Sequence, residues 1–395
     1  MTRAAWLLPL LCLGCTEPGA ALASPSPVST GAPPGASTPD ASPPGGPSAA
    51  RWTLAVYMAA DNDLESEALF DVEEMLSASH PGLRFVVQLD RSGQSPFSVR
   101  RVPPWQGAQR FVIADRTLTP AGLLGPVDTG SASDLADFTA FAARQAGDDQ
   151  LAIVLWGHGH GALGLADDAT TGHRLTPSGL GEALRQGLTE AGVTRAALVG
   201  FDACSMADLA VASEVTPAAR WMFASQHRTP ASGWSYGTLI DFARPQHDSP
   251  QDLAALLAQT TLSASAAFEA PPAWSLLDLD RLPAARQALV ALASQATASP
   301  PLCHALAAPE VPGVEEGMED IDNMTRRLAA VPGLGAPGED LRVAAAASVV
   351  RHWGVPGATS TVGLSTMARW PVDAPSPGGP LAGWWSVLEG CRDAW

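Results

Sequence analysis

The chain has 395 residues, of which 46% are hydrophobic, and a formal net charge of −17. This length allows one large domain or two ordinary ones, and the apolar content is sufficient for a buried core. All 23 basic residues are arginines, which excludes Schiff-base chemistry on lysine and a P-loop lysine. An acidic chain without basic tracts is also a poor candidate for binding nucleic acid, so we expect no such partner.

The first residues have the form of a secretory signal. Arg3 precedes a largely apolar stretch, 4–14, that is too short to span a membrane as a stable helix. Cys12-Leu-Gly-Cys15 is similar to a bacterial lipobox, whose last cysteine carries the lipid, whereas Ala21-Leu-Ala23 offers an ordinary cleavage site for secretion. We expect residues 1–15 to be a signal peptide with a lipobox and Cys15 to be lipidated. The protein would then be an outer-membrane or cell-surface lipoprotein, and plain secretion is the alternative.

Pro, Ala, Ser and Gly dominate residues 16–50. Such a segment cannot bury enough apolar area to fold, and its composition predicts a disordered, partly extended tether. A tether of this kind would connect the lipid anchor in the membrane to a folded part that begins at residue 51.

The folded part alternates between short apolar runs and amphipathic helical patterns. The strongest strand predictions are 52–58, 84–90, 151–156, 196–201 and 220–224. The runs 151–156 and 196–201 are unbroken, which is typical of strands covered on both faces in a parallel sheet, so we predict an α/β fold with a mainly parallel sheet. Beyond residue 245 the chain is richer in Ala and Leu and more helical. Further local predictions are strands at 97–102, 110–113, 273–277 and 360–365 and helix N-caps at Ser133 and Thr176.

Two of the unbroken runs stop at residues capable of chemistry. His158 follows the first run, and Cys204 follows the second, 46 positions later. Functional groups collect beyond the carboxyl ends of parallel strands, and a histidine can take the proton of a nearby thiol. We therefore expect Cys204 to be a nucleophile and His158 its base. The backbone N–H groups of Gly159 and Cys204 are candidates for an oxyanion hole, and a helix expected at 207–215 would direct its positive end toward the thiolate.

Alternatives for these residues remain open. A cysteine at a strand end is often only a packed core residue. Cys303 and Cys391 could pair in an oxidising compartment, which would leave Cys204 as the odd thiol.

Metal binding is a second alternative, although H-x-H spacing alone is a weak signal for it. Its candidate ligands are His158, His160, His173, and Asp167 or Asp168. A downstream acidic group is expected to form a solvated loop and helix start, and its members are Glu315, Glu316, Glu319, Asp320 and Asp322.

The two motifs resemble those of the clostripain-type (C11) cysteine peptidases, bacterial relatives of caspases, gingipains and legumains. The family pattern W-x-H-G-x-G is matched at 156–161 and G-F-D-A-C-x-M at 200–206, and the similarity covers residues 52–240 well. The resemblance implies a caspase-like three-layer fold, with a mainly parallel central sheet flanked by helices. Residues 51–245 would form the catalytic core, and 246–395 a helix-rich extension of the same unit. It also implies an endopeptidase that forms a thioester on Cys204 with His158 as its partner.

The resemblance also bears on substrate preference. Several relatives cut after Arg or Lys by using acids near the S1 pocket, and Asp202, two residues before Cys204, matches one of them. A turn or cap is the alternative role of Asp202. A second acid is expected near the Gly-Trp-x-Tyr segment, where this chain has Ser235, and this departure weakens the case for strong Arg specificity. Arg174 is a candidate self-cleavage site if Arg is accepted.

The sequence requires no cofactor, and calcium is suggested only by the family resemblance. The substrate would be a peptide or protein. Two functions remain as alternatives to hydrolysis, namely a catalytically silent surface binding lipoprotein with the same fold, and transpeptidation by the same residues.

Overall fold

The apolar runs of the sequence form strands, and the amphipathic patterns between them form helices. A computed structural model describes residues 51–95, 97, 104–264, 272–307, 315, 317–354, 362–369 and 379–392. Its strands are β1 Trp52–Ala60, β2 Leu83–Arg91, β3 Gly107–Ala114, β4 Thr117–Gly125, β5 Gln150–Trp156, β6 Ala196–Asp202, β7 Ala219–Ser225, β8 Trp274–Asp278, β9 Met318–Asp320, β10 Val349–Trp353 and β11 Ser365–Met367.

Its α-helices are α1 Glu65–Ala78, α2 Ala132–Ala146, α3 Pro177–Glu190, α4 Leu209–Val215, α5 Pro250–Ala264, α6 Leu282–Gln295, α7 Pro300–Leu306, α8 Ile321–Leu328, α9 Gly335–Ser348 and α10 Ala382–Glu389. Short 3-10 helices span Gly161–Leu163, Tyr236–Asp241 and Gly379–Leu381.

The predicted parallel sheet lies at the centre of the molecule. Nine strands follow the order β10-β8-β7-β6-β5-β1-β2-β3-β4. The five central strands, from β7 to β2, are mutually parallel. Antiparallel pairs extend both edges, β3 and β4 on one side and β8 and β10 on the other. The fold class expected from the sequence is therefore confirmed, and β8 and β10 show that the chain beyond residue 245 contributes to the same sheet.

Helices cover both faces of the sheet, which is why the central strands are largely apolar. On β5, Ala152, Val154 and Trp156 pack in one core with α1 and α5. The alternate residues Leu151, Ile153 and Leu155 pack in a second core with α2, α3 and α4. Successive side chains of a strand point to opposite faces, so both sets of positions on β5 are buried.

Some of the local predictions of helix caps and short strands were confirmed, and others were wrong. Thr176 caps α3 as predicted, by accepting a hydrogen bond from the Gly179 N–H. The Ser133 prediction was wrong by two residues, because Ser131 caps α2. The strand at 110–113 belongs to β3, most of 97–102 lies outside the described residues, and the predicted 360–365 strand begins only at Ser365.

The C-terminal part is held to the sheet by packing and by a covalent bond. Cys303 and Cys391 form a disulfide across a sequence separation of 88 residues, and Cys204 is the free cysteine of the described chain. On α10, Trp384 and Trp385 are both 1% exposed. Residues 47–395 form one compact unit. In the part of the chain that is described, no helix has the length and apolarity needed to cross a bilayer.

Candidate active site

The topology of the sheet predicts where a site can form. The chain runs from β1 to β2 on one side and later places β5 on the other side of β1. At such a switch point the loops beyond the two strands separate and leave a crevice at the carboxyl edge. Asp63 follows β1 and His158 follows β5, and Cys204 lies just beyond the next strand, β6. All three residues therefore lie at the carboxyl edge of the sheet.

His158 and Cys204 line the same cavity at this edge, which has a volume of about 240 Å³. Asp202 lines it as well. The remaining lining residues are Asp63, Leu64, Trp156, Gly157, Thr229, Pro230, Ala231 and Gly233. The two residues expected to act together are thus brought to one enclosed space.

The imidazole of His158 is held by an acid that sequence reasoning missed. Its Nε2 lies 2.7 Å from Oδ1 of Asp63, and the side chains are 31% and 81% exposed. A carboxylate at Nε2 fixes the ring orientation and leaves Nδ1 as the other nitrogen available for proton transfer. The signal is the polar run Asp61-Asn62-Asp63 directly after β1, which is equally typical of a turn and a helix N-cap.

Thr229 holds the sulfur of Cys204. The Thr229 N–H donates to Sγ at 3.2 Å, and Oγ1 of Thr229 lies 3.6 Å from it. Within the described ranges, Cys204 and His158 make no hydrogen bond with each other, and both face the cavity instead. Ser205, the next residue, has φ +62° and is buried with its Oγ unpartnered. Strain of this kind persists only where the surrounding structure enforces it, as at the tip of a functional turn.

The proposed oxyanion donors lie side by side. A Cβ on Gly159 would come within 2.4 Å of the Cys204 carbonyl oxygen, so this position requires glycine. Among the described residues, the N–H groups of Gly159 and Cys204 have no protein acceptor, which leaves both free to bind an oxygen of a ligand.

The expected helix-dipole contribution to Cys204 was wrong. Helix α4 begins at Leu209 rather than at residue 207, and its N-cap Asp208 accepts hydrogen bonds from Ala210 and Val211. A carboxylate therefore occupies the positive end of this short helix, and the helix does not follow Cys204 directly.

Asp202 forms a buried wall of the cavity. Its Oδ2 accepts hydrogen bonds from the Trp234 N–H at 3.0 Å and the Tyr236 hydroxyl at 3.1 Å. Oδ1 is buried and has no hydrogen-bond partner in the described part of the chain. Burial, with a contribution from the charge of Glu74, raises the pKa of Asp202 to about 7. Asp202 therefore lines the cavity and keeps Oδ1 free to accept a hydrogen bond, in addition to its contacts with Trp234 and Tyr236.

Two further acids lie behind Asp202, and sequence reasoning missed both. Asp71 and Glu74 belong to α1; Asp71 accepts the Trp156 indole N–H at 2.7 Å, and Glu74 accepts the Gly237 N–H at 3.1 Å. Burial and the charge of Asp202 raise the pKa of Asp71 well above its ordinary value. Ser235 does not line the cavity. The additional negative charge expected near the Gly-Trp-x-Tyr segment therefore comes from α1, which is remote in sequence.

The alternative ligand set of histidines and acids does not assemble among the described residues. His160 bonds Asp167 at 3.1 Å, His173 bonds Asp128 at 2.6 Å and His158 bonds Asp63, so each ring is bound to a different acid.

The downstream acids form the expected helix start, since Asp320 is the N-cap of α8, but their expected solvation was wrong. Glu319, Asp320 and Asp322 are at most 7% exposed, and Glu316 lies outside the described residues.

Arg174 lies on the loop after His158, as expected, and its side chain forms an ion pair with Asp167. Its guanidinium donates to Asp167 at 2.6 and 2.8 Å. Although burial opposes it, hydrogen bonds from His160 and Arg174 lower the pKa of Asp167. Leu175 exchanges both backbone hydrogen bonds with Leu165, at 2.8 and 2.9 Å. Cleavage after Arg174 would require the hydrogen-bonded pair of Leu165 and Leu175 to open first.

Cys15, the expected lipidation site, lies outside the described residues.

Comparisons with known proteins identify the family of the chain and structures with a similar fold. The model of the clostripain family matches residues 56–322. A secreted C11 cysteine protease from Bacteroides thetaiotaomicron, "iotapain", superposes with a TM-score of 0.61 at 14% identity, covering 87% of this chain and 100% of that one. An inactive zymogen C11 protease from Parabacteroides distasonis gives 0.59 at 18% identity, covering 88% and 99%. The Bacteroides thetaiotaomicron protease with an irreversible peptide inhibitor gives 0.60 at 16% identity, covering 87% and 99%. No curated protein sequence matches the chain. Because the family model spans more than half of the 395 residues, the chain belongs to the clostripain family of C11 cysteine peptidases.

Proposed function

We propose that the protein is an endopeptidase in which Cys204 attacks the scissile carbonyl and His158 moves the protons. The observation that supports this most directly is that both side chains line one cavity at the carboxyl edge of the sheet. Cys204 is the free thiol of the described chain and is partly exposed, so it is accessible to a substrate.

The geometry supports the following sequence of steps. His158 takes the thiol proton, the Cys204 sulfur forms a bond to the carbonyl carbon, and the resulting oxyanion accepts hydrogen bonds from the Gly159 and Cys204 N–H groups. The imidazolium of His158 then protonates the leaving amine, the C–N bond breaks and a thioester remains. A water molecule attacks the thioester while His158 takes its proton, the C–S bond breaks to release the acid, and the imidazolium returns the proton to the sulfur.

The first prediction tests this assignment. We expect the chain to cleave internally quenched peptides that vary the P1 residue, and Cys204→Ala and His158→Ala to lose this activity by about 1,000-fold or more, because groups that act as one unit fail together. Rates are measured by fluorescence, with unfolding curves to show that both variants fold. An uncleaved panel, with Cys204 no faster toward iodoacetamide than a free thiol, would favour the silent binding protein instead.

We further propose a preference for a basic P1 side chain. The support is the buried, unpartnered Oδ1 of Asp202 in the cavity wall, with the carboxyl groups of Asp71 and Glu74 behind it. A buried carboxylate oxygen without a partner costs free energy, and an arginine guanidinium from the substrate would supply the missing donor.

The second prediction follows from this pairing. In Asp202→Asn, kcat/KM for Arg at P1 should fall by about 100-fold, since losing one partner of a buried ion pair typically costs about 3 kcal/mol. With Gln at P1 the change should stay within about 3-fold. An equal loss for both substrates would show a structural role only.

The proposed contact between Asp202 and an arginine at P1 should also depend on pH. Because the pKa of Asp202 is raised to about 7, its charge is lost as the pH falls through that value. The Arg-to-Gln ratio of kcat/KM should therefore decrease as the pH is lowered through about 7 in the wild type. In Asp202→Asn the ratio should be independent of pH, and using a ratio cancels the pH effects that are common to both substrates.

We propose Asp63 as a positioning residue for His158, on the basis of the 2.7 Å contact at Nε2. The third prediction is that Asp63→Ala lowers kcat by about 10-fold and leaves KM nearly unchanged. This is less than the ~100-fold that a 1 Å misplacement can cause, because the contact is exposed and water can replace it. Asp63→Asn keeps an acceptor oxygen and should recover most of the loss. The exposed Asp340→Ala is the matched control, and a change in KM alone would contradict the positioning role.

We propose that the protein is exported and anchored through a lipid on Cys15. The support is the signal-like composition of residues 1–15, and one structural neighbour is described as secreted. The fourth prediction is that, in a bacterial host, the full chain enters the membrane fraction and incorporates labelled palmitate. Cys15→Ala should lose the label, whereas Cys12→Ala should keep it. Labelling that persists in Cys15→Ala, or soluble wild-type protein without label, would favour plain secretion.

A further inference from the structure

The turn that carries Cys204, residues 204–208, is bonded on one side to the end of β7 and the two residues after it. Two hydrogen bonds make this connection, and they run from the N–H of Ser205 to the carbonyl of His227 at 3.0 Å and from the N–H of Ala207 to the carbonyl of Ser225 at 2.8 Å. The first bond lies at the strained residue, Ser205, whose φ is +62°. Because such strain persists only where neighbours enforce it, the position of the turn depends on what it is bonded to.

The other side of the turn meets a strand from far along the chain. The Ser365 N–H, in β11, donates to the Ala207 carbonyl at 2.9 Å. Strand β11 pairs with β9 in a separate two-stranded sheet. In β9, Met318 packs against Gly161, where a Cβ would lie 2.5 Å from the methionine sulfur. The sheet of β9 and β11 therefore contacts both loops that carry the candidate catalytic residues.

The side chain of Gln226 connects the two sides of the turn. Its Nε2 donates to Oδ2 of Asp320, in β9, at 3.0 Å and to Oγ of Ser365, in β11, at 2.9 Å. All three residues are at most 6% exposed, so bulk water does not compete for these bonds. One amide group thus joins the segment after β7 to the strand on the opposite side of the turn.

Asp320 is held in place independently of Gln226. Its carboxylate accepts the Val362 N–H at 3.2 Å, the Gly363 N–H at 3.0 Å and the Asp322 N–H at 2.9 Å, the last as the N-cap of α8. Hydrogen bonds to a carboxylate are stronger than those between neutral groups. The amide of Gln226 is therefore bonded to a point that three other hydrogen bonds already fix.

We propose that Gln226 is a positioning residue for Cys204 and acts through Asp320 and Ser365. The turn is clamped between 225–227 and β11, and the Gln226 amide holds these two sides together. Without it the sides can separate and carry the sulfur away from its reactive position, and a misplacement of about 1 Å can lower a rate by ~100-fold. The inference rests on the proposed role of Cys204 as the nucleophile.

The fifth prediction compares Gln226→Met with Gln88→Met in the full chain. Methionine is close to glutamine in volume and cannot replace its hydrogen bonds. Gln88 is the matched control, because it is also 1% exposed and accepts a hydrogen bond from Arg110 at 2.8 Å. It lies on β2, which β1 and β5 separate from β6 and the Cys204 turn.

We expect kcat on a cleaved peptide to fall by about 10-fold in Gln226→Met, with KM within about 2-fold of the wild type. The loss stays below the ~100-fold limit because the backbone bonds of the turn remain. Gln88→Met should keep both constants within about 2-fold. Both variants should melt at a lower temperature than the wild type, because each leaves a buried polar partner unpaired.

A second measurement does not depend on peptide cleavage. The rate at which iodoacetamide modifies Cys204 is followed by mass spectrometry on the peptide that contains it, so that other thiols do not contribute. This rate should fall by at least about 3-fold in Gln226→Met and stay unchanged in Gln88→Met. If the wild type cleaves no peptide, the proposed function fails, and the alkylation rates still decide whether Gln226 positions the thiol.

Ser365→Ala tests the same contact with less effect on folding, because it removes one of the two side-chain bonds and keeps the backbone bond to Ala207. Its kcat should fall by about 3-fold, as one bond from Gln226 remains. The double variant should lose no more than Gln226→Met alone, since the two residues share one interaction. Unchanged kcat and alkylation with a lower melting temperature would overturn the proposal and show a role in folding only. A change in KM alone, or an equal loss of kcat in Gln88→Met, would overturn it as well.

Discussion

Burial of both faces of the central sheet is the constraint on which the rest of the structure depends. The middle strands are largely apolar, because most of their side chains meet one of two cores. Reactive polar groups therefore lie mainly at the ends of the strands, and in a parallel array the carboxyl ends share one edge. His158 follows β5, Asp202 ends β6 and Cys204 follows it, so the three residues meet at this edge.

Burial of both faces of the sheet also concentrates negative charge at the ends of the strands. The chain has 40 acidic and 23 basic residues, and several aspartates are buried where the strands end. A buried carboxylate oxygen that lacks a partner costs free energy, which a proton or a cation can offset. The proposal for Asp202 rests on this argument, because an arginine of the substrate would bring the positive charge.

Sequence reasoning was most successful where the signal is local or tied to a motif. The unbroken apolar runs predicted β5 and β6 correctly, because each polar residue buried in a strand covered on both faces costs free energy by itself. His158 and Cys204 were found because both follow such runs. Thr176 was found because an N-cap depends on residues within one turn. Asp63, Asp71 and Glu74 could not be assigned in the same way. Their roles arise from contacts across 95, 85 and 163 positions of the chain, respectively, which a periodic pattern does not encode.

The loop between His158 and α3 shows why such contacts matter for function. It carries Asp168 toward one face of the sheet, while Asp167 binds His160 and Arg174 on its outer side. The Leu165–Leu175 pair closes the base of the loop. One segment is thus held by the hydrogen bond from Thr129 to Asp168, by the ion pair between Asp167 and Arg174, and by the hydrogen bond from the Ala166 N–H to the His158 carbonyl. The loop beside His158 is therefore positioned by contacts on both of its sides.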